Sequence, residues 1–237
     1  MVRHSLLTVL ALFVAALTAL PCQAGTVYQG AGTALTVEAE NPDSVTSAGT
    51  KFWVPVDATP TATSPVGNPI LPGTTNASGG VAMLTDFGIT DNQSTMTYKL
   101  QFAQPGTYRL YVRCSMFEDG GNTANYGNED SFFRPDDFDV ACGTSNIVTG
   151  FSTTNVEGVF GWYNTGGNYT VTPAQVGAVL TFNIGNRESG FTMDRLAFSP
   201  VTNLSGSALD AKANSPTVVT DFTGGGADTD WSTTGNW

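Results

Sequence analysis

Polar and apolar positions alternate most sharply in two neighbouring runs. In Met96–Phe102 the residues Tyr98, Leu100 and Phe102 alternate with polar ones, the two-residue period of a strand with one buried face. Gln104-Pro105-Gly106-Thr107 follows, with proline and glycine placed as a tight turn needs them. Tyr108–Cys114 then alternates again, so the two runs predict a hairpin. Shorter strands are expected at 33–39, Lys51–Val54, Asp136–Val140 and Gly158–Tyr163. A last pair is expected at Ala178–Ile184 and Phe191–Phe198, joined by a hairpin loop over 185–190. From Asn41 to Gly80 threonine, proline, glycine and serine dominate, which predicts long loops. Beyond residue 24 no run of twelve or more residues keeps a helical apolar period, and only Pro173–Val176 reads as a helical turn. Many short strands separated by turn signals predict an all-β, antiparallel sandwich.

The first 24 residues stand apart. Arg3 precedes an apolar run from Leu6 to Leu20, and Cys22-Gln23-Ala24 ends in a small residue, the layout of a secretory signal peptide cut before Gly25. The run is short for a membrane span, and no second one follows. The expected organisation is a signal peptide over 1–24, a sandwich over 25–200 and a flexible Gly/Thr/Ser/Asp-rich linker or tail over 201–237. That tail ends in Trp231-Ser-Thr-Thr-Gly-Asn-Trp237, which reads either as the start of a further module or as a docking tag. The expected location is extracellular or at the cell surface.

Export changes the chemistry that is open to the chain. The single histidine, His4, lies in the leader, so Ser-His-Asp triads, Cys-His pairs and histidine-ligated metals are excluded from the exported part. Two cysteines remain, Cys114 and Cys142, which either form one disulfide or stay as buried thiols. The formal charge of −11 disfavours nucleic acid and anionic membranes, because phosphate binding needs clustered Lys and Arg. A calcium ion or a neutral ligand suits it better.

Glu38 and Glu40 are two apart on a predicted strand, so both carboxylates leave one face. Either that face meets a hard cation with oxygen ligands, or it is an edge in water. Asp136, Asp137 and Asp139, near Glu129 and Asp130, read as a solvated acidic loop, with Asp130 binding backbone amides.

Four segments, in order, carry a resemblance. They are Val37-Glu38-Ala39-Glu40-Asn41, then Pro105–Arg113, then Glu129-Asp130-Ser131-Phe132-Phe133, and finally Arg187–Leu196. Over about residues 33–199 the chain resembles a galactose-binding-like β-sandwich. It is most similar to the C-terminal sandwich of glycoside hydrolase family 115 enzymes, and more broadly to carbohydrate-binding modules of families 6 and 35. The resemblance implies a jelly-roll module without catalysis of its own. It implies a structural calcium held by Glu38, Glu40 and Asp194, and sugar bound in loops at one edge. The chain departs from the pattern in its long Asn41–Gly80 insertion and in lacking a hydrolase domain.

A pyranose needs an aromatic platform for its C–H face and planar polar groups for its hydroxyls. Trp162 and Tyr163, with Asn186, Arg187 and Glu188, are the candidates, and Tyr126 and Trp53 are weaker additions. The leading expectation is an exported, non-catalytic carbohydrate-binding module with a structural calcium, its partner a poly- or oligosaccharide. The alternative is a structural or adhesive module of a cell-surface or matrix protein, with a cell-envelope or larger multimodular partner. A glycosidase using two carboxylates needs no histidine, but the acids here fall on edge strands and polar loops.

Overall fold

The computed structural model describes residues 27–30, 34–48, 53–60, 73–85, 92–117, 129–151, 158–213 and 218–220. The expected leader, Tyr126 and the Trp231–Trp237 segment lie outside them. In chain order the strands are β1 (Val27–Gln29), β2 (Leu35–Glu38), β3 (Ser44–Ser47), β4 (Trp53–Asp57), β5 (Val81–Thr85), β6 (Ser94–Gln101) and β7 (Gly106–Met116). They continue as β8 (Phe132–Phe133), β9 (Ile147–Val148), β10 (Gly161–Val171), β11 (Val179–Asn186) and β12 (Phe191–Ser199), then helix α1 (Gly206–Ala213) and β13 (Val218–Thr220).

These strands form the two sheets of an all-β sandwich. The first runs β13-β1-β6-β11-β8-β9, with β3 also on β6; the second runs β10-β7-β12-β5-β4, with β2 also on β12. The described ladders are antiparallel except β1 on β6, which is parallel.

The expected hairpins are not there. β6 belongs to the first sheet and β7 to the second, and β11 and β12 divide in the same way. The alternation itself is present, since Met96, Tyr98 and Leu100 are buried between partly exposed neighbours. Each run turns one apolar face inward, but the two faces meet across the sandwich rather than side by side. Phe102 and Tyr108, flanking the Pro105-Gly106 corner, pack at 4.7 Å between ring centroids. Asp136–Val140 also differs from expectation. It is a turn with Asp139 at a positive φ of 58°, lying along β11 through Asp139 N–H to the Thr181 carbonyl at 3.0 Å.

The interior is aromatic at both ends. At one end Phe102, Phe138, Tyr169, Phe182 and Phe198 pack mutually, with centroids 5.0–6.2 Å apart. At the other, Trp53, Phe132, Phe151 and Phe191 form a second group. Full burial of one such ring is worth about 1.5–3 kcal/mol, and well-placed ring pairs add about 0.5–1.5 kcal/mol.

The sandwich does not close at residue 200. Ser205 caps α1 through its Oγ to the Ala208 N–H at 3.3 Å, as short hydroxyl side chains do at helix starts. Leu209 is buried against Tyr111 and Ala197 on the outer face of the second sheet. β13 then pairs with β1. Residues 201–213 and 218–220 therefore contribute structure where a linker was expected. No helix among the described residues is long and apolar enough to cross a membrane.

Candidate functional site

A carboxylate–guanidinium cluster forms on the outer face of the second sheet. In β12 the apolar residues run Phe191, Met193, Leu196, Phe198, so one extra residue falls between Met193 and Leu196. The pairing with β7 slips there: Met193 faces Cys114 and Arg195 faces Arg113. Such a bulge lets neighbouring side chains share a face, and Asp194 and Arg195 both join the cluster. Arg195 grips Glu38 of the adjacent β2 with two nitrogens, at 2.6 Å to Oε1 and 2.9 Å to Oε2. Arg113 pairs with Asp194 Oδ2, while Asp194 Oδ1 accepts the Ser78 N–H at 2.7 Å. Ser78 Oγ donates to Glu38 Oε1 at 3.2 Å and accepts from Arg195.

Glu40 is treated differently. Its Oε2 is buried with no hydrogen-bond partner. Burial pushes its pKa up to about 7, with the charges of Glu38 and Asp194 adding to the shift and Arg195 partly offsetting it. Burial also raises Asp194, against the opposing pull of Arg113. The phenol of Tyr28 is raised by burial and by Glu40 and Glu38, and donates to the backbone carbonyls of Glu38 and Asn41, both at 3.1 Å.

These residues suit a hard cation in one respect: their donors are all oxygen, and Glu40 offers one that nothing satisfies. Glu38 and Asp194 already spend all four carboxylate oxygens on N–H and O–H donors. Among the described residues no three His, Cys, Asp or Glu side chains stand close enough to hold a metal as placed.

The second candidate is one end of the sandwich. Strand directions bring the ends of β3, β5, β7, β9 and β11 and the starts of β4, β6, β8, β10 and β12 there, with the described loop 187–190 between β11 and β12. Arg187 bonds Glu188 and the Ser131 hydroxyl, and Ser131 also bonds Glu188. The Arg187 and Glu188 side chains keep 25% and 15% exposure, so this network meets solvent. Beneath it Asn186 is fully buried, its Oδ1 accepting the N–H groups of Gln93 at 2.9 Å and Ser94 at 2.8 Å. Thr85 Oγ1 donates to the carbonyls of Glu188 and Phe191.

Gly190 completes the turn at a φ of +88°, where an added Cβ would lie 2.1 Å from the Phe117 carbonyl oxygen. Only glycine fits both conditions. Asp130 fixes a neighbouring loop, accepting from Thr149 Oγ1 and the Gly150 N–H, both at 2.9 Å.

The remaining expected site residues lie on strands that start at this end, but they do not join the Arg187–Glu188–Ser131 network. Trp162 and Tyr163 are consecutive on β10, so they leave opposite faces. Trp162 packs with Tyr111, Ala197 and Leu209 under α1 and donates its indole N–H to Asp210 at 2.8 Å. Tyr163 turns inward, edge-on to Phe151 at 5.2 Å. The two rings therefore make no common platform, and Asn186 supports the loop from below. Trp53 is a core residue, 6.3 Å from Phe191.

The two cysteines are free: Cys114 is buried in the second sheet, whereas Cys142 lies beside Asn92 and Gly185 of the first layer. Burial raises both thiols, Cys142 to about 11. Asp136, Asp137 and Asp139 bind separately, to Asn146, to the Phe138 N–H and to Thr181.

No family model matches the chain, and no curated protein does. Among solved structures, the chain is similar to a GH26-CBM35 β-(1,4)-mannanase of Podospora anserina, at 16% identity and a TM-score of 0.42. That match covers 73% of this chain and spans only 28% of the mannanase. It is similar as well to a family 35 carbohydrate-binding module of Clostridium thermocellum, at 11% identity and a TM-score of 0.42, over 70% of this chain and 98% of that one. A Paenibacillus xanthan lyase is similar at 16% identity and a TM-score of 0.40, with 70% of this chain and 13% of the lyase covered.

Proposed function

We propose that this chain is an exported, non-catalytic module that binds a poly- or oligosaccharide at the Arg187–Glu188 end of its sandwich. The observation that carries this reading is the partly exposed Arg187–Glu188 pair, held by the buried Ser131 and seated on a buried Asn186. A guanidinium and a carboxylate held side by side match the donors and acceptors of vicinal hydroxyls. The rigid shell below them keeps their geometry before a ligand arrives. Acid–base hydrolysis needs two available carboxylates, whereas Glu129 is only 1% exposed and Glu188 is tied to Arg187. Sequence resemblance adds calcium as a stabilising ion, for which Glu40, with Glu38 and Asp194, would supply the oxygens. Bound there, the ion would offset carboxylate charge.

Glycan-array screening followed by calorimetry tests the reading. The expected result is binding to a defined set of glycans, lost in Arg187→Ala and Glu188→Gln and kept in Trp162→Ala. Binding that survives the first two changes and is lost in the third would move the site to the face under α1. No binding to any glycan would overturn the proposal.

A further inference from the structure

Both oxygens of Glu38 face the Arg195 guanidinium in a two-nitrogen grip, at 2.6 and 2.9 Å. This fork geometry is the strongest side-chain pairing available to a carboxylate. The grip is set by the backbone, because the bulge at Asp194 puts Arg195 opposite Glu38 in the ladder between β12 and β2. Arg195 also bonds Ser78, which itself bonds Glu38 and Asp194. Five charged groups meet here. Glu38, Glu40 and Asp194 stand against Arg113 and Arg195, leaving one carboxylate in excess, and Glu40 is the one without a partner on Oε2. Tyr28 and Asp210 border the cluster, the latter 4.0 Å from Arg113.

We propose that Arg195 is a built-in competitor for a divalent cation at this cluster. The inference rests on the calcium reading above and concerns what this chain does to it. Arg195 and calcium are alternative partners of Glu38, since the oxygens that would ligate an ion are those the guanidinium holds. Arg195 supplies enough positive charge for the strands to assemble without metal. Binding an ion then requires Arg195 to release Glu38, which lowers affinity. Removing Arg195 frees Glu38 Oε2, leaves Oε1 with only the Ser78 hydroxyl, and leaves two carboxylates in excess, and these changes favour the ion.

The test is calorimetric titration of the full chain with calcium chloride, beside thermal unfolding with calcium and with chelator. Wild-type protein is expected to bind calcium weakly, with a small rise in Tm. Arg195→Met is expected to unfold at lower temperature in chelator, yet to bind calcium at least about tenfold more tightly, with a larger calcium-dependent rise in Tm. Arg195→Lys keeps the charge and loses the fork, so it should fall between them, and it carries the test if the methionine variant does not fold. If wild type binds calcium and the variants bind it equally or less tightly, the competition is refuted. If none of the three binds calcium, the calcium reading itself fails, and the competition with it.

Discussion

Two clusters of arginine and carboxylate lie on this molecule, built from the same chemistry and put to different ends. In the Glu38–Asp194 cluster the partners come from far along the chain: Arg195 to Glu38 spans 157 positions, Ser78 to Asp194 spans 116, and Arg113 to Asp194 spans 81. The bonds there join β2, β7 and β12 to one another and to the short turn at Ser78–Gly80 that leads into β5, so the cluster is part of what holds the second sheet together. In the loop-end cluster Arg187 and Glu188 are sequence neighbours in one turn, and only Ser131 comes from elsewhere. A pair within one turn adds little to the fold. Its charged groups are therefore free to exchange partners with a ligand. The difference teaches that sequence separation, more than residue type, divides the charge that ties the fold together from the charge proposed to meet a ligand.

The largest effect should come from the long-range cluster. Asp194 is fully buried, so Asp194→Ala leaves Arg113 and the Ser78 N–H without their partner. Breaking a buried pair by removing one member costs about 3–5 kcal/mol, and urea unfolding should show a loss of that order. A loss below about 1 kcal/mol would mean that the cluster is not structural.

Glu40 gives an intermediate effect through pH. Its folded pKa of about 7 lies above the ordinary glutamate value of 4.5. The folded state therefore holds its proton more tightly than the unfolded state. Relative stability is fully present below about pH 4.5 and is lost as pH rises through about 7. Partial solvent contact limits the effect to roughly 1–2 kcal/mol. In calcium-free buffer, Tm should fall between pH 5 and pH 8 in wild type, and Glu40→Gln should flatten that fall. An unchanged slope in the variant would place the titration elsewhere.

Arg187→Ala should change stability least, by less than about 1 kcal/mol, while removing glycan binding. A large loss of stability would erase the contrast between the two clusters.

Much of this was legible in the chain, and the limits are physical. Alternation marked β6, β7 and β11 because a two-residue period reports which face is buried. It does not report which strand lies alongside, so β6 and β7 read as a hairpin although they belong to opposite sheets. The spacing Met193 to Leu196, three instead of two, was a visible sign of the bulge.

Glu38 and Glu40 were legible as neighbouring carboxylates on one strand, whereas β2 ends at Glu38 and Glu40 lies in the turn that follows; their guanidinium partners were not legible. Arg113 and Arg195 come from strands whose register only the folded sheet sets. Trp162 read as a platform because its cover was invisible. Helix α1 has a single buried anchor, Leu209, and too few apolar positions to show a helical period.

The pairing of β1 with β13 has a consequence for the order in which the molecule assembles. Val27 sits opposite Thr220, so this ladder closes nearly the whole described chain for three residues on each side. Closing so long a loop costs entropy that so short a ladder recovers poorly, and such contacts form late and open early. β1 is therefore the last strand to be covered on its outer edge, after its parallel partner β6 is in place. Until then its free backbone groups are a template for strand addition, and the timing of that final closure sets how long the folding chain is exposed to mispairing with its neighbours.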